Sequence, residues 1–207
     1  MKRMNADEFS VSRDRNYGPI AHKINSSKIL LDVPKSYGVE IDIRSGPNQK
    51  LVLSHDLANS ESEELDSYLK HYDHKFIVAN IKESGIEDIV IRKLSEKNID
   101  FFLLDCEMPF VYLNQEKCGE VLSVRYSEIE SIETIKYFAG KVGWVWIDTF
   151  KNLPKMHEEL KNFKTCLVSP DRWGRPEEIT EYKEFLNDNN FQIQGVMAEL
   201  KYLPQWK

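Results

Sequence analysis

Two acidic residues carry the first chemical signal in this sequence. Glu40 and Asp42 are separated by one residue within the β-type run Val39–Arg44. A strand repeats every two residues, so both carboxylates project to the same side of it. Two neighbouring negative charges are costly inside a fold unless a cation compensates them, and Mg²⁺ or Ca²⁺ suits oxygen ligands. On the spacing alone, solvated carboxylates on an exposed strand edge are the simpler interpretation.

Two histidines shift the balance towards an active site. His22 lies at the end of the short run Pro19–Lys23, and His55, followed by Asp56, comes directly after Lys50–Ser54. Histidine is the usual general acid and base near neutral pH. Either histidine alone would more often be structural, but two beside a carboxylate pair indicate acid–base chemistry. The remaining histidines lie in helical or loop stretches and are assigned no role: His71, His74 and His157.

The elements that must position these residues alternate between β-type runs and amphipathic helical stretches. The predicted strands are Pro19–Lys23, Val39–Arg44, Lys50–Ser54, Phe76–Lys82, Phe101–Asp105, Val121–Arg125, Val142–Asp148, Thr165–Ser169 and Ile193–Glu199. The predicted helices are Asn25–Lys35, Glu61–His71, Ile86–Lys97, Pro109–Lys117, Ile129–Ala139, Pro154–Phe163 and Glu177–Asn187. With Lys50–Ser54 as an arm of the second strand, eight strands remain, which predicts a small α/β (βα)8 TIM-type barrel. Periodicity cannot show barrel closure, so an open doubly wound sheet is the alternative.

Polar residues gather where the predicted strands end. In a barrel these ends surround a single mouth, which is where active sites of this fold lie. The residues at the strand ends are His22, Glu40, Asp42, His55, Asp56, Asn80, Lys82, Asp105, Glu107, Arg125, Asp148, Ser169, Asp171 and Glu199.

The composition bounds the class of protein. A chain of 207 residues that is 41% hydrophobic suits one globular domain, predicted over residues 17–207 after a flexible polar leader at 1–16. The net charge of -6 argues against nucleic-acid binding. Three widely spaced cysteines and the absence of an apolar run of membrane-spanning length predict a cytoplasmic protein without a transmembrane segment.

Three sequence blocks, in this order, resemble the glycerophosphodiester phosphodiesterase family of the phospholipase-C-like phosphodiesterase superfamily. They are Ile20–Lys23, Gly38–Ile43 and Leu51–Asp56, and the likeness covers about the first third of the chain. The resemblance implies a barrel that hydrolyses a phosphodiester with the help of a divalent metal, Mg²⁺ or Ca²⁺.

The resemblance also implies roles for the matching residues. His22 and His55 would form the acid–base pair, and Glu40 and Asp42 would hold the metal. Lys82 would stabilise charge on the phosphate. In such enzymes the nucleophile is a neighbouring hydroxyl of the substrate or a water molecule.

The sequence departs from the family pattern at several positions. Lys23 replaces the arginine after the first histidine, which keeps a phosphate-binding charge but loses the bidentate fork. Asn80 replaces the third metal carboxylate and can offer only an uncharged carbonyl oxygen; Asp105 on the next strand is an alternative candidate for that ligand. The stretch Ile24–Ser27 replaces the expected Pro-Glu-Asn-Thr. The short connection between Asp56 and the next strand lacks a capping insertion, which predicts an open mouth suited to a bulky phosphodiester.

A turn after the seventh barrel strand supplies further candidates for substrate binding. Arg172, Trp173 and Arg175 could bind phosphate and stack on a sugar or headgroup. An ordinary turn with a packed tryptophan and solvated arginines explains them equally well.

These features together predict a metal-dependent phosphodiesterase acting on a lipid-headgroup or polysaccharide-linked substrate. A catalytically weakened barrel that binds a phosphorylated ligand without turnover is the alternative. An unrelated α/β enzyme with coincidental histidines is a third.

Overall fold

A computed structural model describes residues 15–207. Its ten strands are β1 (Gly18–Ala21), β2 (Gly38–Ser45), β3 (Leu51–Leu53), β4 (Glu63–Glu64), β5 (Ile77–Ile81), β6 (Phe101–Leu104), β7 (Ser123–Tyr126), β8 (Trp144–Ile147), β9 (Lys164–Val168) and β10 (Gly195–Ala198). The helices are α1 (Ser27–Leu30), α2 (Leu65–Tyr68), α3 (Glu87–Glu96), α4 (Met108–Cys118), α5 (Ile132–Phe138) and α6 (Ile179–Asp188).

Eight parallel strands close into a barrel. The order around it is β1, β2, β5, β6, β7, β8, β9, β10 and back to β1, where Gly18 pairs with Gly195. The joint between β6 and β7 is a parallel bridge from Leu103 to Leu122. Strands β3 and β4 extend β2 as an antiparallel arm. The predicted (βα)8 barrel is therefore confirmed, with Lys50–Ser54 as the arm of the second strand.

Aromatic side chains fill the barrel interior near the amino-terminal ends of the strands. Phe102 stacks on Trp144 with ring centroids 4.5 Å apart, and Phe76 lies 5.2 Å from the same indole. The interior cluster comprises Tyr17, Ile20, Phe76, Val78, Phe102, Leu104, Trp144, Trp146, Cys166, Val168 and Met197. A second apolar layer lies between the strands and the outer helices. The charged residues of the predicted site lie beyond this apolar cluster, towards the carboxyl ends of the strands.

Four predicted helices are present as α3 to α6, but three others are shorter than the sequence pattern indicated. Asn25–Lys35 contains only the single turn of α1, capped where the Ser26 hydroxyl accepts from the Ile29 amide at 3.3 Å. The predicted helix cannot continue to Lys35, because Pro34 disfavours helical backbone in the residue that precedes it.

Sheet pairing and extended backbone shorten the other two helices. Glu63 and Glu64 pair with β3, so the predicted helix Glu61–His71 is reduced to α2. In Pro154–Phe163 the backbone of His157 is extended, and only a 3₁₀ segment, Glu158–Asn162, follows. Tertiary pairing overrides local helix preference in such short segments.

Two contacts attach the N-terminal segment to the barrel. Residues 1–14 of the predicted leader lie outside the described residues. Arg15 forms an ion pair with Asp100, and the Lys75 ammonium donates to the carbonyl of Asn16 at 2.5 Å. No helix within residues 15–207 has the length and apolarity needed to cross a membrane; the cytoplasmic location stays a prediction. The three cysteines are free thiols, with Cys166 buried and the other two half-buried.

Ser123 strengthens the joint between β6 and β7, and its loss should be measurable. Its buried hydroxyl donates to the carbonyl of Leu103 at 2.7 Å. Ser123→Ala should lower the free energy of unfolding by about 1–3 kcal/mol, because a buried carbonyl loses its donor. Urea denaturation would measure this, with the exposed Ser60→Ala as control. Equal midpoints for the two variants would contradict this role.

Candidate active site

Two neighbouring strands place four predicted site residues together at the barrel mouth. Glu40 and Asp42 on β2 point inwards, and Asn80 on β5 is the register partner of Asp42. The three side chains are deeply buried, at 1%, 1% and 7% exposure. Lys82 follows β5, and its ammonium lies 3.2 Å from Asp42 Oδ1. An exposed strand edge, the simpler interpretation of the two carboxylates, is thereby excluded.

Glu40 is held through both of its oxygens. Oε2 accepts from the backbone amide of Lys23 at 2.7 Å, and Oε1 accepts from Asn80 Nδ2 at 3.0 Å. The imidazole of His22 lies 3.9 Å away, measured from Nε2 to Oε2. Burial, reinforced by the charge of Asp42, raises the pKa of Glu40 above its ordinary value. A cation at this place would therefore stabilise the charged form of both carboxyl groups.

Asp42 has a partner that the sequence analysis did not identify. Asn25 donates from Nδ2 to Asp42 Oδ2 at 2.7 Å, and its Oδ1 accepts from the Asp42 amide at 2.8 Å. This reciprocal pair fixes the orientation of the carboxylate and holds the loop after β1 against β2. The signal available in the sequence was an asparagine three residues after His22, which the resemblance treated only as a departure.

The two histidines sit in different surroundings. The His22 side chain is 20% exposed and that of His55 is 47% exposed. Burial, reinforced by the positive charge of Arg172, lowers the pKa of His22 to about 4. His22 is thus neutral at pH 7 and able to accept a proton. His55 Nδ1 lies 3.0 Å from an exposed carboxylate oxygen of Asp56.

Unpartnered oxygens beside these residues test whether a divalent metal fits. Asn80 Oδ1 and Asp42 Oδ1 are buried and accept no hydrogen bond from any residue in 15–207, although the Lys82 ammonium forms an ion pair with Asp42 Oδ1 at 3.2 Å. Buried polar atoms normally have partners, and carboxylate and amide oxygens are ligands that Mg²⁺ and Ca²⁺ take. No group of three His, Cys, Asp or Glu side chains arranged for a metal occurs within the described range. The oxygens open to a cation at this place are therefore Asp42 Oδ1 and Asn80 Oδ1, beside the carboxylate of Glu40.

Asp105, the predicted substitute ligand, belongs to a different network. Its carboxylate accepts from Arg125 Nε at 2.6 Å and from Nη2 at 2.9 Å. Arg125 also donates to Asp148 Oδ2 at 2.9 Å, so one guanidinium joins two carboxylates across β6, β7 and β8. Two hydrogen bonds from Arg125 engage both oxygens of Asp105 and hold it on the β6–β8 side of the mouth.

Trp173 lies at the rim of the mouth, on the side where Arg125 joins Asp105 and Asp148. Its indole Nε1 donates to Asp148 Oδ1 at 2.8 Å, and its ring meets Phe150 edge-on with centroids 4.6 Å apart. The side chain is fixed at one end, yet Trp173 remains 44% exposed. Such an arrangement offers a rigid aromatic surface to a ligand in the mouth.

The two predicted arginines of this turn differ in their contacts. Arg172 donates to Glu199 Oε1 at 3.2 Å, and its positive charge contributes to the lowered pKa of His22. Arg175 is largely buried; it forms an ion pair with Glu178 and donates to the carbonyl of Thr149 at 2.6 Å. Arg172 therefore lies at the mouth, whereas Arg175 ties together the loops that follow β8 and β9.

Comparison with solved structures relates this geometry to known barrels. No protein-family model matches the chain, and no curated protein matches it at a significant level. A glycerophosphodiester phosphodiesterase from Agrobacterium tumefaciens superposes with a TM-score of 0.60 at 12% identity, over 90% of this chain and 98% of that one. One from Thermotoga maritima gives 0.59 at 16% identity, over 91% and 97%. A glycerophosphoryl diester phosphodiesterase from Parabacteroides distasonis gives 0.57 at 11%, over 99% and 92%.

The superpositions extend over nearly the whole of each barrel, although few residues are identical. The TIM-barrel architecture implied by Ile20–Lys23, Gly38–Ile43 and Leu51–Asp56 thus continues to the end of the chain. This protein therefore has the same fold as these glycerophosphodiester phosphodiesterase structures.

Proposed function

We propose that this protein is a phosphoric diester hydrolase that cleaves a glycerophosphodiester or a related phosphodiester in a metal-dependent reaction. The observation that carries the proposal is the pair of buried oxygens without hydrogen bonds, Asp42 Oδ1 and Asn80 Oδ1, next to the Lys82 ammonium at the barrel mouth. The shared fold with solved glycerophosphodiester phosphodiesterases supports it.

The β2–β5 side of the mouth would bind the phosphate. Glu40, Asp42 and Asn80 would hold Mg²⁺ or Ca²⁺, which would neutralise phosphate oxygens as a Lewis acid. Lys82 would add a second positive charge from the adjacent position, and the exposed Lys23 would supply a third at the rim. Together these charges compensate the negative charge that develops during displacement at phosphorus.

The histidines would transfer the protons. His22, neutral at pH 7, would take the proton of the attacking hydroxyl, either of water or of the substrate, as its oxygen bonds to phosphorus. His55 in its protonated form would donate a proton to the departing alcohol oxygen as that P–O bond breaks. The protonated imidazole of His22 would be stabilised by Glu40 at 3.9 Å.

The β7–β9 side of the mouth would receive the alcohol portion of the substrate. Trp173 offers its exposed ring to a sugar or headgroup, and Arg172 lies next to it. Arg175 would act indirectly: its hydrogen bond to the carbonyl of Thr149 would hold the loop that carries Arg172 and Trp173. The mouth has no capping insertion between β3 and β5, so a bulky lipid-headgroup or polysaccharide-linked diester would have access.

A second candidate is a barrel that binds a phosphorylated ligand without turnover. The observation that favours it is Asn80, which lowers the negative charge of the metal site by one relative to three carboxylates. Lys82 already pairs with Asp42 at 3.2 Å and competes with a metal for that oxygen.

Steady-state hydrolysis of an aryl phosphodiester separates the two candidates. The purified protein would be assayed with added Mg²⁺, Ca²⁺ or Mn²⁺, with and without a chelator. Metal-dependent release of the aryl alcohol is expected, and chelation should abolish it. Absence of turnover with every metal, combined with tight calorimetric binding of a glycerophosphodiester, would instead favour the binding protein.

Asn80→Asp tests the metal site through stability. The new carboxylate would face Glu40 at the position of the present 3.0 Å hydrogen bond, so the metal-free variant should be less stable. We expect a loss of about 1–3 kcal/mol, or roughly 2–12 °C in Tm. Saturating Ca²⁺ or Mg²⁺ should restore Tm and raise it more than in the parent protein. A Tm of the variant that is insensitive to both ions would contradict a metal site at this position.

A further inference from the structure

Arg44 joins two segments that carry proposed catalytic side chains. Its Nε and Nη2 donate to the carbonyl oxygen of His55 at 3.3 and 3.0 Å. Its Nη1 donates to the carbonyl oxygen of Lys82 at 3.1 Å. Arg44 also follows Glu40 and Asp42 at the two-residue period of β2, so it starts from the same face of the strand. One guanidinium thereby connects β2, the loop after β3 and the loop after β5.

We propose that Arg44 is a positioning residue that fixes His55 relative to Lys82 and to the carboxylates of β2. The inference deepens the proposed phosphodiesterase function and rests on it for the roles of His55 and Lys82. Arg44 itself need not touch the substrate, because all three of its described hydrogen bonds end on backbone carbonyls.

The loop that carries His55 needs such support. His55 lies beyond the end of β3, and its imidazole has as its described partner the exposed side chain of Asp56. One backbone bond, from the Ser54 amide to the carbonyl of Asp42 at 3.0 Å, holds the start of the loop. The fork of Arg44 supplies the next attachment, at the carbonyl of the histidine itself. A displacement of 1 Å in a reacting group can lower a rate 10²-fold.

The shape of the side chain explains why arginine is required. A planar guanidinium presents donors in a rigid fork and can reach two carbonyls at fixed angles at once. A lysine ammonium at this position could reach one of the two carbonyls but would not hold both. Arg44→Lys should therefore recover only part of what Arg44→Ala loses.

Kinetics on an aryl phosphodiester would test the role directly. Arg44→Ala should lower kcat by about 10- to 100-fold with a smaller change in KM. The matched control is Arg92→Ala, since Arg92 lies exposed on α3 and should leave kcat unchanged. In a double-mutant cycle, Arg44→Ala should cost little more once His55→Ala is present, because Arg44 acts through His55. A full, additive loss in the His55→Ala background, or an unchanged kcat, would overturn the proposal.

A second measurement does not depend on activity. Amide hydrogen exchange in the segment after β3, residues 54–58, should be faster in Arg44→Ala than in the parent protein and unchanged in Arg92→Ala. If the parent protein hydrolyses no phosphodiester, the proposed function fails while this comparison still decides whether Arg44 holds the loop. Unchanged exchange in Arg44→Ala would overturn the positioning role even in an active enzyme.

Discussion

Replacement of His22 with alanine is expected to lower kcat for phosphodiester hydrolysis by about 10²–10⁴-fold, the range for loss of a positioned acid–base group. The imidazole is largely buried, neutral at pH 7, and 3.9 Å from Glu40. The neutral imidazole has a free lone pair for the proton of an attacking hydroxyl, and Glu40 would stabilise the imidazolium that forms. Steady-state kinetics at saturating Mg²⁺ or Ca²⁺ would measure the loss.

His71→Ala provides the matched control, because His71 is exposed on the segment after α2, away from the mouth. It should retain the parent kcat and Tm. The Tm of His22→Ala should also remain close to that of the parent, since the fold does not depend on a hydrogen bond from this imidazole. A His22→Ala protein with full activity would exclude His22 from the reaction and leave the proposed mechanism without its base.

The strands and the mouth were predictable from the sequence because their signals are local. Short apolar runs indicate the buried strands of a barrel. Side chains alternate between the two faces of a strand, so Glu40 and Asp42 must share one face of β2. The period of two therefore placed Glu40 and Asp42 on one side of β2, whereas their burial inside the barrel required the histidines and the strand count as well. The register between Asp42 and Asn80 then follows from two adjacent parallel strands.

The supporting residues were not predictable, because their partners lie far away along the chain. Asn25 and Asp42 are 17 residues apart, and Arg44 and Lys82 are 38 apart. No periodic pattern connects such positions. The sequence likewise offered Asp105 as a metal ligand because it ends a strand, but it could not show that Arg125 occupies that carboxylate. Only the closed barrel brings these pairs together.

In the proposed reaction, the two sides of the mouth would have different roles. On the β2–β5 side, the buried carboxylates lie next to Lys82, and two buried oxygens, Asp42 Oδ1 and Asn80 Oδ1, accept no hydrogen bond within residues 15–207. On the β7–β9 side, Asp148 is fully engaged by Arg125 and Trp173, so its charge is compensated within the protein. In the proposed function, the first side would therefore bind the phosphate and a metal, and the second would bind the alcohol portion of the substrate.

Asp42→Asn is expected to cost about 10²–10³-fold in kcat/KM, comparable with removal of one strong electrostatic contact to a transition state. The amide occupies almost the same volume, and its oxygen could still face Asn25. The negative charge would be lost, however, and Lys82 would keep its ammonium without the partner now 3.2 Å away. We therefore expect this variant both to bind metal more weakly and to lose the ion pair that positions Lys82.

Stability measurements would separate the loss of metal binding from a general loss of structure. Ca²⁺ or Mg²⁺ should raise the Tm of the parent protein and of Asp32→Asn, an exposed control on the segment after α1. Neither ion should raise the Tm of Asp42→Asn appreciably, because a buried carboxylate is the strongest oxygen ligand available at this site. An Asp42→Asn protein that retained both its activity and its metal-dependent Tm would place the metal elsewhere. Loss of both would mean that β2 supplies the charge on which the proposed metal-dependent reaction depends.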